Sequence, residues 1–383
     1  MRVLTIFGTR PEAVKMAPVI QQLQNHSEIE SRVCVTAQHR EMLDQVLSLF
    51  NITPDIDLNL MRPDQSLADL TARIMMDLNP ILTQEKPDWV LVQGDTTTVM
   101  TTALLCYYQK IKVGHVEAGL RTYNKWQPFP EEINRKIAGI VADLHFAPTE
   151  LSRQNLLREG IPDWRIHVTG NPVIDALQQI AQLPMPISIE HLLIEKGVLS
   201  GEKQLVVVTA HRRENFGQPL QQICQAIRTL ADKLGDRIHI IYPVHLNPNV
   251  QETVYPLLGD HPAITLLGPA SYTEMVALEK HATLMLTDSG GIQEEATAFA
   301  IPTLVLRRKT ERPEGVTAGF LHLVGDDKSL IIEKSLEFLS NPTLLKQVKH
   351  LHNPFGDGHA AKYIVEGLLK FQDKESLMDG VDE

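Results

Sequence analysis

The sequence predicts an α/β protein built from two related, doubly wound parallel sheets. Three observations carry that prediction. Short apolar runs alternate with longer helical stretches along the whole chain, the pattern of parallel strands joined by crossover helices. At Leu183-Pro184-Met185-Pro186-Ile187 two prolines interrupt the alternation, which restarts at Leu205–Thr209. The length, 383 residues, is enough for two or three domains of roughly 150 residues, each able to bury a core of its own.

In chain order, the first-half strands are expected at Val3–Phe7, Val33–Thr36, Trp89–Val92, Val113–Val116, Leu144–Ala147 and Ile166–Val168, with helices such as Glu12–Gln24 and Ser66–Gln84 between them. Six strands make a full doubly wound sheet. After the break, Leu205–Thr209, Ile238–Tyr242, Ile264–Leu267, Leu284–Thr287 and Thr303–Leu306 repeat the pattern. No period of about 20 to 50 residues is visible, which excludes a solenoid. A last helical stretch, Ala360–Phe371, follows the turn-rich Asn353–Gly358, and the polar tail Gln372–Glu383 is expected to fray.

Composition narrows the function classes. Lys and Arg number 36 against 47 Asp and Glu, a net charge of −11 that argues against nucleic acid and acidic membranes as partners. With 43% hydrophobic and 22% charged residues, a soluble folded protein is expected. Cys34, Cys106 and Cys224 stand far apart among apolar neighbours and suit buried free thiols in a reducing compartment. The apolar run Val3–Phe7 is too short for a signal-peptide core, so a cytoplasmic location is expected.

The residues with chemistry sit at expected strand ends. Phe7–Lys15 (FGTRPEAVK) joins the first strand to the first helix, where ligands of open α/β sheets lie, and Arg10 and Lys15 would place two cations there. A plain loop with solvated charges is the alternative. The next two central strands end in Gln93-Gly94-Asp95-Thr96 and in Val116-Glu117-Ala118-Gly119. Asp95 could be only a helix cap, whereas a carboxylate such as Glu117 at the end of a buried strand costs free energy unless something binds it. Pro130–Arg135 (PEEINR) brings Glu131 and Glu132 to a helix start, where the macrodipole favours acids and capping explains one of the two. Three carboxylates together suit proton transfer at carbon or the holding of sugar hydroxyls.

In the second half, His211–Asn215 (HRREN) puts at a strand end the side chain best suited to exchange protons near neutral pH. Asp288–Ala296 (DSGGIQEEA) reads as strand, glycine turn and helix, so Ser289, Gly290 and Gly291 could approach a diphosphate closely. Glu295, about one turn on, could accept both hydroxyls of a ribose. Arg312 in Glu311-Arg312-Pro313-Glu314 adds a guanidinium suited to phosphate. The dinucleotide fingerprint G-x-G-x-x-G is absent and no metal-ligand spacing appears among the 15 histidines, so no NAD-type cofactor and no metal are expected.

These segments, with Gln38–Leu43 (QHREML) and Asn353–Gly358 (NPFGDG), closely resemble the bacterial non-hydrolysing UDP-N-acetylglucosamine 2-epimerases over about residues 1–370. The resemblance implies the two-domain GT-B architecture: a Rossmann-like domain over 1–171, a UDP-binding one over 172–358, a helix over 359–375 packing back on the first, and a frayed 376–383. It places the active site in the cleft between the domains. The implied activity interconverts UDP-N-acetylglucosamine and UDP-N-acetylmannosamine for cell-surface polysaccharide. UDP would leave the anomeric carbon as the neighbouring proton is removed, giving a 2-acetamidoglucal to which UDP adds back. By matching motif, Asp95, Glu117, Glu131 and His211 are the implied acid–base residues. Arg10, Lys15, Met275, Ser289, Gly290, Gly291, Glu295 and Arg312 are the implied UDP and substrate contacts. A homodimer is implied, as is activation by a second UDP-N-acetylglucosamine bound among Gln38, Gln45, Arg73, Arg213 and His245.

Two departures stand out. Met275 occupies the place where many relatives carry an aromatic residue against uracil, and Arg307-Arg308-Lys309 precedes ERPE where relatives often carry an acid, adding positive charge near the phosphates. The rival readings are a GT-B glycosyltransferase, a hydrolysing epimerase and a non-catalytic nucleotide-sugar sensor. An NAD-dependent epimerase fits less well: Tyr108 and Lys112 have Y-x-x-x-K spacing, but Lys112 begins an expected strand and cannot share a helical face with Tyr108.

Overall fold

The structure is a computed structural model that describes residues 1–36, 40–60 and 65–379. The chain forms two compact units, Met1–Ala176 with Gly356–Glu383, and Leu177–Phe355. The first unit therefore runs a few residues past the expected boundary and takes back the end of the chain.

The first unit holds a seven-stranded parallel sheet of order β3-β2-β1-β4-β5-β6-β7. Its strands are β1 (Arg2–Phe7), β2 (Glu30–Val35), β3 (Ile56–Asp57), β4 (Trp89–Gln93), β5 (Lys112–Val116), β6 (Leu144–Ala147) and β7 (Ile166–Val168). Val3–Phe7 and Trp89–Gln93 are buried throughout, as strands covered on both faces by helices require. β2 starts earlier than its apolar run because Glu30 N–H already donates to Met1 O at 2.8 Å. β3 has only two residues, too few for any periodicity to register.

The last helix, Ala360–Asp379, belongs to this unit. Asp175 accepts its first free N–H groups, from Ala360 at 3.1 Å and Ala361 at 2.9 Å. Ile364, Val365 and Leu368 are fully buried, and Phe371 meets Trp89 edge-on with ring centroids 5.1 Å apart. Contrary to the expected fraying from Gln372, the helix continues to Asp379. Gln, Lys, Glu, Leu and Met along that stretch are good helix formers, and no glycine interrupts them before Gly380.

The second unit holds a six-stranded parallel sheet of order β10-β9-β8-β11-β12-β13. Its strands are β8 (Gln204–Thr209), β9 (Ile238–Pro243), β10 (Ile264–Leu267), β11 (Ala282–Thr287), β12 (Thr303–Val305) and β13 (Leu321–Leu323). β13, three residues of Leu-His-Leu, has no counterpart among the expected strands. The helix Gln218–Leu234 buries Leu220, Ile223, Ile227 and Leu230, spaced three and four apart, in the core on this sheet.

Both sheets have the same relative order, with chain direction reversing beside the first strand: at β1/β4 in one unit and at β8/β11 in the other. The crevice outside the carboxyl ends of two such strands is where doubly wound sheets bind ligands. Among the described residues no helix is long and apolar enough to cross a membrane, and the three cysteines are buried and free.

Candidate active site

At the first switch point, Thr9 caps the helix Arg10–Gln24 and Glu12 completes the capping box. Glu12 accepts Gly8 N–H at 3.0 Å, Thr9 N–H at 2.7 Å and the Thr96 hydroxyl at 2.8 Å, which fixes the tip of β1 to the loop after β4.

Glu117 follows β5 with φ 63°, left-handed backbone that a residue with a side chain adopts at a cost of order 1–3 kcal/mol. It is only 7% exposed. Lys15 Nζ lies 2.5 Å from its Oε1, Asn171 Nδ2 donates to the same oxygen at 2.8 Å, and Gln93 Nε2 donates to Oε2. The buried carboxylate thus has an ammonium ion and two amides around it. Lys15, expected at a phosphate, has its charge on Glu117. Gly94 passes beside Glu117, where a Cβ would make ordinary contact with Oε2 at 3.5 Å; its φ of 81° is what calls for glycine.

Asp95 pairs with Arg135, whose Nη2 and Nε both donate to its Oδ2. Asn134 donates to the Asp95 carbonyl at 2.9 Å, so the helix Glu131–Val141 starts beside the tip of β4. Of the two acids there, Glu132 is the buried one and accepts Thr122 N–H and Tyr123 N–H, each at 3.0 Å. Glu131 opens the helix half-buried. His115 donates from Nε2 to the Gly94 carbonyl at 2.7 Å, and burial pushes its pKa down to about 4, so it is neutral.

At the second switch point Asp288 is 0% exposed. Its Oδ2 accepts the backbone N–H of His211 at 2.9 Å and of Arg212 at 2.8 Å, and the Asn215 amide at 2.8 Å. The HRREN turn is therefore wrapped around one carboxylate oxygen. His211 Nδ1 lies 4.0 Å from the other oxygen, and its ring stacks on His245 with centroids 5.1 Å apart. Burial holds the His211 pKa below the usual histidine value, against the opposing pull of Asp288.

Ser289 precedes the helix Gly290–Ala298. Gly290 lies under the Arg312 guanidinium, where a Cβ would come within 3.1 Å of Nη1. Arg312 is buried between Glu294, 2.7 Å from its Nε, and Glu311, 3.0 Å from its Nη1. Glu295 is buried and accepts the Tyr272 hydroxyl at 3.4 Å.

The structure thus gathers Asp95, Glu117 and the start of the Glu131 helix in the first unit, with Arg10 at the helix start that also carries Lys15. It gathers His211, Arg213, His245, Ser289–Gly291, Glu295 and Arg312 on the second. Met275 lies in the apolar core with Leu278 and Met285. Gln45 is exposed on the helix Arg40–Leu49, Arg73 reaches the Leu60 carbonyl at 3.5 Å, and Gln38 lies outside the described residues. Of the additional charges before ERPE, Arg307 pairs with Glu214 at 2.5 Å and Arg308 with Asp326 at 3.2 Å. Sequence reasoning did not single out Asp288, Gln93, Arg135 or Asn171. The first three stood inside quoted motifs, whereas Asn171 follows Gly170 in an unpatterned turn.

Comparison with known proteins agrees with this geometry. The family model for UDP-N-acetylglucosamine 2-epimerase matches residues 21–369. The chain belongs to that family. It is 52% identical over 372 residues to the UDP-N-acetylglucosamine 2-epimerase of Escherichia coli K12, covering 96% of this chain and 98% of that one. To the Salmonella typhimurium enzyme of that name it is 50% identical, covering 97% and 99%. Among solved structures, the Neisseria meningitidis UDP-GlcNAc 2-epimerase bound to UDP-GlcNAc has a TM-score of 0.87 at 48% identity, covering 97% of this chain and 100% of that one. The Methanocaldococcus jannaschii enzyme in complex with UDP-GlcNAc and UDP has 0.80 at 34%, with the same coverage. The fold is accordingly α/β with two Rossmann-like domains, as in these GT-B-like structures.

Proposed function

We propose that this protein is a non-hydrolysing UDP-N-acetylglucosamine 2-epimerase. The observation that carries the reading is Glu117, a buried carboxylate in strained backbone at the tip of β5, held by Lys15, Gln93 and Asn171 one strand from Asp95. A fold does not maintain strain and a buried charge together without use for them.

The second unit supplies the leaving-group side. Backbone N–H groups at the start of the helix Gly290–Ala298 suit a diphosphate, Arg312 holds its guanidinium over Gly290 between Glu294 and Glu311, and Glu295 accepts the ribose hydroxyls. Asp95, Glu117, Glu131 and His211 serve the proton transfers. UDP leaves the anomeric carbon as the neighbouring C–H proton is lost; the 2-acetamidoglucal that remains takes a proton on its opposite face as UDP adds back. Stabilising the departing diphosphate is what lowers the barrier, since no adjacent carbonyl acidifies that C–H.

The same reading holds that UDP-N-acetylglucosamine also activates the enzyme at a second site including Arg213 and His245, that the enzyme is a cytoplasmic homodimer, and that its product feeds cell-surface polysaccharide. Purified protein incubated with UDP-N-acetylglucosamine in deuterated water, without NAD or metal, should yield the manno isomer carrying deuterium at the acetamido-bearing carbon. Conversion without deuterium would exclude elimination, and accumulation of free N-acetylmannosamine would identify a hydrolysing enzyme.

A further inference from the structure

A second buried carboxyl lies beside Glu295. Glu279, on the helix Tyr272–His281, is 0% exposed, and neither of its oxygens receives a hydrogen bond from any donor among the described residues. Its side chain is within hydrogen-bonding reach of Glu295, whose charge acts on it. The two helices that carry the pair, Tyr272–His281 and Gly290–Ala298, bury Met275, Leu278 and Ala296 in one apolar cluster. Two carboxylates in contact there cannot both be ionised. Burial, and after it the charge of Glu295, push the Glu279 carboxyl well above the ordinary range. A neutral Glu279 has one O–H to donate, and Glu295 is the acceptor beside it. The Tyr272 hydroxyl reaches Glu295 as well.

We propose that Glu279 is a positioning residue: it stays a carboxylic acid, donates its hydrogen to Glu295, and so fixes Glu295 as the acceptor for both hydroxyls of a nucleotide's ribose. The proposal rests on the reading of Glu295 as the ribose ligand. A lysine in this place would neutralise the acceptor, whereas an uncharged acid orients it and leaves its charge available to the diol.

The test compares binding of UDP and 2′-deoxy-UDP to the full-length wild type, Glu279→Gln and Glu279→Leu by calorimetry. The wild type should prefer UDP. Glu279→Gln should keep that preference, because its amide still donates. Glu279→Leu should lose about tenfold or more of its UDP affinity, the loss expected for one charge-assisted hydrogen bond. It should still bind 2′-deoxy-UDP and unfold at no lower temperature, since a buried ionisable group has been replaced by an apolar one. A protonated-carboxyl C=O band should appear in the infrared difference between wild type and Glu279→Gln at neutral pH. Undiminished UDP preference in Glu279→Leu, loss of it in Glu279→Gln, or absence of that band would each overturn the role given to Glu279. No preference in the wild type would instead overturn the reading of Glu295, and with it the diol half of the proposal. If Glu279→Leu does not fold, Glu279→Gln and the infrared band still decide.

Discussion

The two switch points share a strand order and differ in what surrounds their carboxylates. At the tips of β4 and β5, Asp95 and Glu117 are met by the cationic side chains of Arg135 and Lys15. At the tips of β8 and β11, Asp288 is met by two backbone N–H groups and an amide. Topology therefore fixes where a site can be, and a few residues at the strand tips fix its electrostatics. In the proposed reading the carboxylates of the first unit are themselves the working groups. The carboxylate of the second organises a turn, and the neighbouring helix N-terminus is proposed for an anion.

The largest effect that bears on this contrast is on turnover. Glu117→Gln should keep its fold and lose roughly 10²–10⁴-fold in kcat, with Asp95→Asn, Glu131→Gln and His211→Asn in the same range. A variant that retains wild-type turnover under steady-state assay has only a structural role.

Next comes stability. Lys15→Met leaves the Glu117 charge buried without its cation and should cost about 3–5 kcal/mol in urea unfolding, and adding Glu117→Gln should recover much of that. Asp288→Asn keeps an oxygen for the same N–H donors and should cost only about 1–3 kcal/mol. Equal losses would erase the distinction between the two sites.

Acid should act on both units. Burial lowers His115 to about 4 and His145 to about 3 in the first, and His239 to about 4 in the second, where it also holds His211 and His322 below the usual histidine value. Each takes up a proton near 6.5 when unfolded and only near its lowered value when folded. Their contribution is thus complete above 6.5 and declines as pH falls through that value towards 4. His115→Gln should flatten this part of the stability curve, measured by urea unfolding at each pH.

The smallest effect is expected at Arg308, whose side chain is 85% exposed in its pair with Asp326. Arg308→Ala should alter stability by less than about 1 kcal/mol. UDP affinity should be unchanged by calorimetry, and a large fall would restore the idea that this charge serves the phosphates.

Most of the architecture was legible because parallel strands buried on both faces are written as uninterrupted apolar runs, as in Trp89–Val92 and Val206–Val208. β3 was not, since two residues carry no period, and β13 was missed although β7 and β12, equally short, were legible. At the site, the strand-tip acids announced themselves by the cost of burying them, and Glu117 required a partner that the sequence could not identify. Lys15 lies on the adjoining helix, but only the fold brings its ammonium to that oxygen rather than to a phosphate. Asn171 and Asp175 were silent because their partners lie far away in sequence. Glu131 and Glu132 differ only in which points inward, a question of helix phase that depends on where the preceding loop delivers the chain.

Asp175 and the helix it caps also set an order of events during synthesis. The N–H groups it receives belong to residues 360 and 361, and the ring against Trp89 belongs to Phe371. A ribosome making this chain releases every strand of both sheets before that helix exists. Throughout elongation the nascent first unit holds a bare Trp89 and an Asp175 without its helix, and that face closes only once residues 360–371 have emerged.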